Sequence, residues 1–133
     1  MLANSLLTAF LTAPDANRAR AFYRDTLGLP LVHEDNFALV FDAHGVQLRI
    51  SIFPDFHPQP FTVLGWQVDN AVSLARNLQQ AGILLERFPG LAHDEHGLWL
   101  APSGFHVGWF RDPFGNLLSI SQPPATPAAI PSS

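Results

Sequence analysis

The densest group of side chains that could do chemistry is the run His93-Asp94-Glu95-His96. Imidazole nitrogens and carboxylate oxygens are ordinary ligands of divalent cations, and His57 or His106 could complete such a site. Glu95 and His106 could instead act as a metal-free acid and base. Adjacent ligands in a glycine-flanked loop have no fixed geometry, so the simpler interpretation of this run is an exposed polar loop.

Arg49 is the second candidate, because it shares the polar row of an alternating segment with Ser51 while the other row is apolar. A guanidinium on such a sheet face could hold a carboxylate or phosphate through two parallel hydrogen bonds. The competing interpretations are an ion pair with Asp42 or Glu34, or a contact in a dimer.

Aromatic side chains are the third candidate. Phe10, Trp99, Phe105 and Trp109 could form a wall on which a planar ligand stacks, or they could serve core or dimer packing. Trp66 is assigned to the core. No glycine-rich phosphate loop is present, and no serine has a histidine and an acid beside it in sequence.

Composition excludes several functions. The 133 residues fit one domain, and a net charge of −4 with 7 Lys plus Arg argues against a nucleic-acid surface. Without cysteine there is no disulfide framework and no thiolate metal site. No apolar run approaches the roughly 20 residues of a membrane span, and the start lacks the basic region of a signal peptide. We therefore expect a cytoplasmic protein without membrane association.

The elements that position these residues repeat along the chain. The hairpin signals Asp42 to Gly45 and Asp112 to Gly115 are 70 residues apart, and the helical patterns Asp15 to Gly28 and Asp69 to Gly82 are 54 apart. The repetition of these helix and hairpin signals in the same order predicts one fold unit that is used twice. The second copy carries 16 extra residues, placed near 89–104.

Each copy is predicted to be a βαβββ module, which gives an α+β fold. In the first module the strands are expected at 6–12, 31–34, 37–41 and 46–53, with a helix capped by Asp15. In the second they are expected at 61–68, 84–88, 105–110 and 117–121, with a helix capped by Asp69 or Asn70. A single domain is predicted for residues 1–122, with modules at 4–54 and 61–122. A flexible Pro-rich tail is predicted for 123–133.

Two motifs carry a family resemblance: Phe22-Tyr23-Arg24-Asp25-Thr26-Leu27-Gly28 and Trp109-Phe110-Arg111-Asp112-Pro113-Phe114-Gly115-Asn116. With the paired modules they resemble the vicinal oxygen chelate superfamily, which includes glyoxalase I, bleomycin-resistance proteins and extradiol dioxygenases. The resemblance implies a curved mixed sheet that forms a cup, and a homodimer.

The resemblance also implies metal positions, which fall here at Thr8, Arg49, Val63 and Ser119. None of these residues is an ordinary metal ligand, since arginine repels a cation and valine has no lone pair. We therefore expect no metal and no cofactor, in line with the bleomycin-resistance branch.

The predicted function is metal-independent binding of a small organic ligand, aromatic or anionic, in a sheet-lined cup. One alternative is a metal-dependent or acid/base enzyme of the same superfamily, such as a lyase, an isomerase or a dioxygenase. The other is a structural or interaction dimer with a filled cup. The predicted lining residues are Thr8, Phe10, Arg49, Ser51, Val63, Gly65, Trp99, His106, Trp109 and Ser119.

Overall fold

The computed structural model describes residues 1–125, which contain two four-stranded mixed sheets. The described residues divide into two compact units. The first unit comprises residues 1–59 and 112–116, and the second comprises residues 60–111 and 117–125. No helix in the described part of the chain is long and apolar enough to cross a membrane.

The first unit has the predicted order βαβββ. Its strands are β1 (Thr8–Ala13), β2 (Leu31–Glu34), β3 (Ala38–Ala43) and β4 (Val46–Ile52), arranged β1-β4-β3-β2 with β1 parallel to β4. Helix α1 (Ala16–Arg20) continues as a π-helical segment (Ala21–Thr26). The predicted cap is confirmed, because Asp15 Oδ1 accepts from the Arg18 amide at 3.1 Å.

Strand alternation places one face of this sheet against the helix. Leu39, Phe41, Leu48 and Ile50 are buried on that face, and the Phe41 ring lies 6.1 Å from the ring of the buried Tyr23. The opposite face of β1 and β4 is only half-buried. The apolar rows thus form the core of the unit and leave the alternate rows for other roles.

The second unit repeats the order. Its elements are β5 (Thr62–Gln67), α2 (Ala71–Gln80), β6 (Trp99–Leu100), β7 (His106–Arg111) and β8 (Leu117–Gln122), and the sheet order is β5-β8-β7-β6. Asn70, not Asp69, caps α2, since Asn70 Oδ1 accepts from the Ser73 amide at 3.0 Å. The α+β class and both βαβββ units are confirmed.

The predicted strand at 84–88 is wrong. The place beside β7 is taken by β6, which comes from the insertion. Residues 83–88 are not part of a ladder, although the Glu86 amide donates to the Trp109 carbonyl. Leu85 packs so closely on β7 that a Cβ at Gly108 would lie 2.7 Å from Leu85 Cδ1. The apolar alternation that predicted a strand therefore reflects packing on the sheet.

The insertion near 89–104 contains a loop and the short strand β6. Most of the Pro-rich tail predicted for 123–133 lies outside the described residues. Pro124 is described, and its Cβ would be 3.0 Å from a Cβ at Gly104.

Candidate functional site

The sheet face opposite helix α1 carries the predicted site residues of the first unit. The register pairs Phe10 with Arg49 and Arg49 with Val40, and Val40 in turn pairs with His33, so one row crosses all four strands. A neighbouring row contains Thr12 and Ser51, and Thr8 donates through Oγ1 to Gln47 Oε1 at 3.1 Å. Thr8, Phe10, Arg49 and Ser51 therefore share one surface, as predicted.

Arg49 has no hydrogen bond or ion pair within residues 1–125, and its side chain lies on a half-buried face. The two carboxylates considered as its partners are engaged elsewhere. Glu34 accepts from Arg20 Nε at 3.1 Å, and Asp42 Oδ1 accepts from the Gly45 amide at 2.9 Å. The predicted ion-pair alternative is wrong, and the guanidinium keeps its donors for another acceptor.

The corresponding face of the second unit carries Gly65, Ser119 and Trp109, which are paired across β5, β8 and β7. Gly65 and Ser119 are so close that a Cβ at position 65 would lie 2.3 Å from Ser119 Oγ. The next row contains Ser121, Val107 and Trp99. Val63 lies beside Gly65, at an irregularity in the pairing of β5 with β8.

His106 is the exception in the predicted set. It pairs with Gln122, whose side chain accepts from the Ala71 amide at the start of α2 at 2.8 Å. His106 and Trp109 are three residues apart in one strand, and alternation places such residues on opposite faces. The predicted grouping of His106 with Trp109 on one surface is therefore wrong.

Trp99 and Trp109 belong to an aromatic cluster in the second unit. Their ring centroids are 6.1 Å apart, and Phe88 meets Trp109 edge to face at 5.3 Å. The His93 ring is 6.3 Å from Trp109. Both tryptophans are half-buried, so the cluster holds their rings in place and leaves part of their surface accessible.

The insertion residues His93 and Asp94 are hydrogen-bonded within their own part of the chain. His93 Nδ1 is 2.7 Å from the Gly97 carbonyl, and His93 Nε2 accepts from the Phe88 amide at 3.0 Å. Both ring nitrogens are thus used in the neutral form. Asp94 Oδ1 accepts from the His96 and Leu98 amides at 2.8 and 2.9 Å. Across residues 1–125 no cluster of three or more His, Asp or Glu side chains is arranged to hold a metal ion.

The motif residues Tyr23, Asp112 and Asn116 form a buried network in the first unit. Tyr23 Oη donates to Asp112 Oδ2 at 2.7 Å, and Asn116 Nδ2 donates to the same oxygen at 2.8 Å and to the Thr12 carbonyl at 3.0 Å. Burial, together with the Asp112 carboxylate, raises the pKa of Tyr23 far above its usual value. These residues hold structure and do not face a ligand.

Sequence reasoning missed two residues on the Arg49 face. These are Val40, which pairs with Arg49, and His33, which pairs with Val40. The signal that could have found them is strand register, because each pairs directly with a predicted site residue or with its neighbour in a row. His33 could not be placed from sequence, since the irregular pairing between β2 and β3 decides its face.

Comparison with known proteins identifies the family. The profile of the Glyoxalase/Bleomycin resistance protein/Dioxygenase superfamily matches residues 5–120. The chain belongs to this superfamily. No curated protein matches the sequence at a significant level.

Solved structures of the superfamily share the fold. A glyoxalase family protein from Bacillus anthracis is 20% identical, with a TM-score of 0.70, and the match covers 90% of this chain and 95% of that one. A lactoylglutathione lyase from Agrobacterium tumefaciens is 20% identical, with a TM-score of 0.69 and coverage of 92% and 96%. A superfamily member from Sphaerobacter thermophilus is 16% identical, with a TM-score of 0.72 and coverage of 92% and 99%. At these identities the likeness concerns the fold.

The residues at the superfamily's implied metal positions do not fit a divalent cation. Arg49 would repel it and Val63 offers no donor atom. Thr8 is hydrogen-bonded to Gln47, and Ser119 is pressed against Gly65. This donor set lacks the imidazoles and carboxylates that such an ion needs, so no metal chemistry is derived for these positions.

Proposed function

We propose that the chain binds a small organic anion with an aromatic or other apolar part, without a metal ion at the superfamily positions. Arg49 makes the anion contact. The observation that carries the proposal is that the Arg49 guanidinium, on a half-buried sheet face, has no ion-pair partner among residues 1–125. Partial burial without a protein carboxylate is costly for a charge, and an anionic ligand would offset that cost.

The neighbours of Arg49 fit such a ligand. Thr12 and Ser51 place hydroxyls in the adjacent row, where they can donate to a carboxylate or phosphate oxygen. Phe10, which pairs with Arg49, is 68% exposed and offers an aromatic surface to the apolar part of the ligand. The face thus combines one fixed positive charge, two neutral donors and one ring.

The second unit offers its own face to planar groups. Trp99 and Trp109 are held by ring contacts, and Gly65 leaves the sheet backbone uncovered beside Ser119. We propose these residues as stacking and hydrogen-bonding contacts for an aromatic ligand. The predicted homodimer and cytoplasmic location remain predictions, and sedimentation equilibrium tests the first of them.

Two probes test the role of Arg49: benzoate, which is an aromatic anion, and benzamide, which is its neutral analogue. In a titration followed by ¹H–¹⁵N NMR, benzoate should saturate shifts in residues 8–12 and 47–51, and benzamide should bind more weakly. Loss of a charged hydrogen-bond donor predicts that Arg49→Gln weakens benzoate binding roughly tenfold or more. Arg24→Gln is the matched control, because Arg24 is paired with Asp25 on the π-helical segment.

Two results would contradict the proposal. One is benzoate affinity in Arg49→Gln equal to that of the unsubstituted chain. The other is elemental analysis of protein purified without chelator that finds a stoichiometric Zn, Ni, Fe or Mn ion which is lost in His96→Ala. The second result would favour the metal-dependent enzyme instead.

A further inference from the structure

A second cleft lies in the second unit and shares no residue with the faces described above. Its volume is about 140 Å³, and it opens between helix α2 and the insertion loop. Helix α2 contributes Ala75 and Gln79, and the loop contributes Glu95 and His96. The remaining wall is formed by the segment after the helix, namely Ile83, Leu84, Leu85 and Arg87.

The loop wall of this cleft is held in place by its own hydrogen bonds. His93 spans from the Phe88 amide to the Gly97 carbonyl, and Asp94 accepts two loop amides. Gly97 has φ +91°, and a Cβ there would lie 2.8 Å from Leu85 Cβ, so the loop backbone rests directly on the cleft floor. The side chains that looked like metal ligands therefore build a rigid wall.

The polar groups of the cleft are mostly donors. Arg87 Nη2 donates to the Glu95 carbonyl oxygen at 3.3 Å, and no carboxylate pairs with Arg87 within residues 1–125. His96 is 22% exposed and its Nε2 is 3.6 Å from Glu95 Oε1, whereas the Glu95 side chain is 86% exposed and extends to the rim. Gln79 adds an amide from the helix. Arg87, His96 and Gln79 thus line the same cleft as the apolar residues Ile83, Leu84 and Leu85.

We propose that this cleft binds a small carboxylate with a short alkyl group. The planar guanidinium fork of Arg87 matches a carboxylate, and the leucine and isoleucine floor suits a short chain. The acidic rim at Glu95 disfavours a doubly charged phosphate, because like charges repel. A volume of about 140 Å³ suits a ligand of this small size.

The test is an NMR titration of the full chain with propionate, with inorganic phosphate as the second probe. Propionate should give saturable shifts at residues 79, 83–87 and 95–96. Arg87→Gln should weaken binding about tenfold or more, and Glu95→Gln should strengthen it severalfold. The control is Arg76→Gln, since Arg76 is an exposed residue of the same helix outside the cleft. Arg87 is exposed, so its variant should retain the native spectrum.

Four outcomes would overturn the inference. Three are shifts that do not saturate in the millimolar range, equal affinities for Arg87→Gln and Arg76→Gln, and phosphate binding tighter than propionate. The fourth is a set of shifts confined to residues 8–12 and 47–51, because it would assign the carboxylate to the Arg49 face.

Discussion

Asp42 and Asp112 occupy equivalent positions in the two hairpins, yet Asp42 is exposed and Asp112 is 5% exposed. The first hairpin is closed by the two residues His44 and Gly45, which both have positive φ, at 54° and 92°. Asp42 Oδ1 accepts one bond, from the Gly45 amide. The side-chain hydrogen bond of Asp42 thus stays within its own turn, as is expected of a tight two-residue hairpin.

The second hairpin is longer and depends on distant residues. Its loop, Asp112 to Asn116, belongs to the first unit, although the strands on either side belong to the second. The Asp112 carboxylate accepts from the Phe114 and Asn116 amides, from Asn116 Nδ2 and from Tyr23 Oη. The same sequence signal therefore marks a simple turn in one copy and a buried anchor in the other.

The strongest test of this contrast replaces each aspartate by alanine. Asp112→Ala leaves four donors without their acceptor, most of them buried, and should lower the free energy of unfolding by about 3 kcal/mol or more. Asp42→Ala loses one exposed bond and should cost about 1 kcal/mol or less. Urea unfolding followed by tryptophan fluorescence measures both. Equal losses would show that the two turns are equivalent.

Unfolding at alkaline pH tests the hydrogen bond between Tyr23 and Asp112, because it ionises the tyrosine. The chain has one tyrosine and neither lysine nor cysteine, so Tyr23 is the side chain whose ordinary pKa lies between about 9 and 12. Its folded-state pKa is raised, by burial first and Asp112 second. Stability is therefore complete below the unfolded-state pKa of about 10 and falls by about 1.4 kcal/mol per pH unit above it.

Tyr23→Phe is the control for this pH dependence. The variant should lose about 1 to 3 kcal/mol at neutral pH, because Asp112 loses one hydrogen-bond donor. It should show no tyrosine-linked decline above pH 10, since phenylalanine does not ionise. Urea unfolding at neutral and alkaline pH measures both effects. If the free energy of unfolding of Tyr23→Phe fell as steeply above pH 10, the decline would not come from ionisation of Tyr23.

The smallest expected difference concerns the two glycines that end the hairpin signals. Gly45 and Gly115 have φ +92° and +91°, so alanine is strained at either position and should cost about 1 kcal/mol. At Gly115 the new Cβ would also lie 3.2 Å from Pro58 Cγ, whereas at Gly45 it would meet open space. Gly115→Ala should therefore be the more destabilising by a few tenths of a kcal/mol. Thermal unfolding of both variants measures the difference.

Local signals in the sequence predicted most of the fold. Asp15 and Asn70 cap helices because their side chains bond amides three residues away, and such signals can be found within one turn of the helix. The error at 84–88 arose because the apolar pattern of a segment packed on a sheet resembles that of a strand. The partnership of Tyr23 with Asp112 spans 89 residues and leaves no local signal.

Part of the candidate site was predictable because strand alternation is a local signal. Alternation correctly grouped Arg49 with Ser51, and the register then joined them to Phe10 across the sheet. It was misapplied at His106, whose odd spacing from Trp109 places it on the other face. No pattern could show that Arg49 lacks an ion pair with Glu34, because that depends on Glu34 bonding to Arg20 instead.

The loop from Asp112 to Asn116 also sets the order in which the protein can be completed during synthesis. At roughly 5 to 20 residues per second, a ribosome adds Asp112 about 4 to 18 seconds after Tyr23, which lies 89 residues earlier. Until then the nascent first unit has a tyrosine hydroxyl and the Thr12 carbonyl without their final partners. The first unit, which is begun first, is thus completed only once Asn116 has been added, when most of the second unit has already been made.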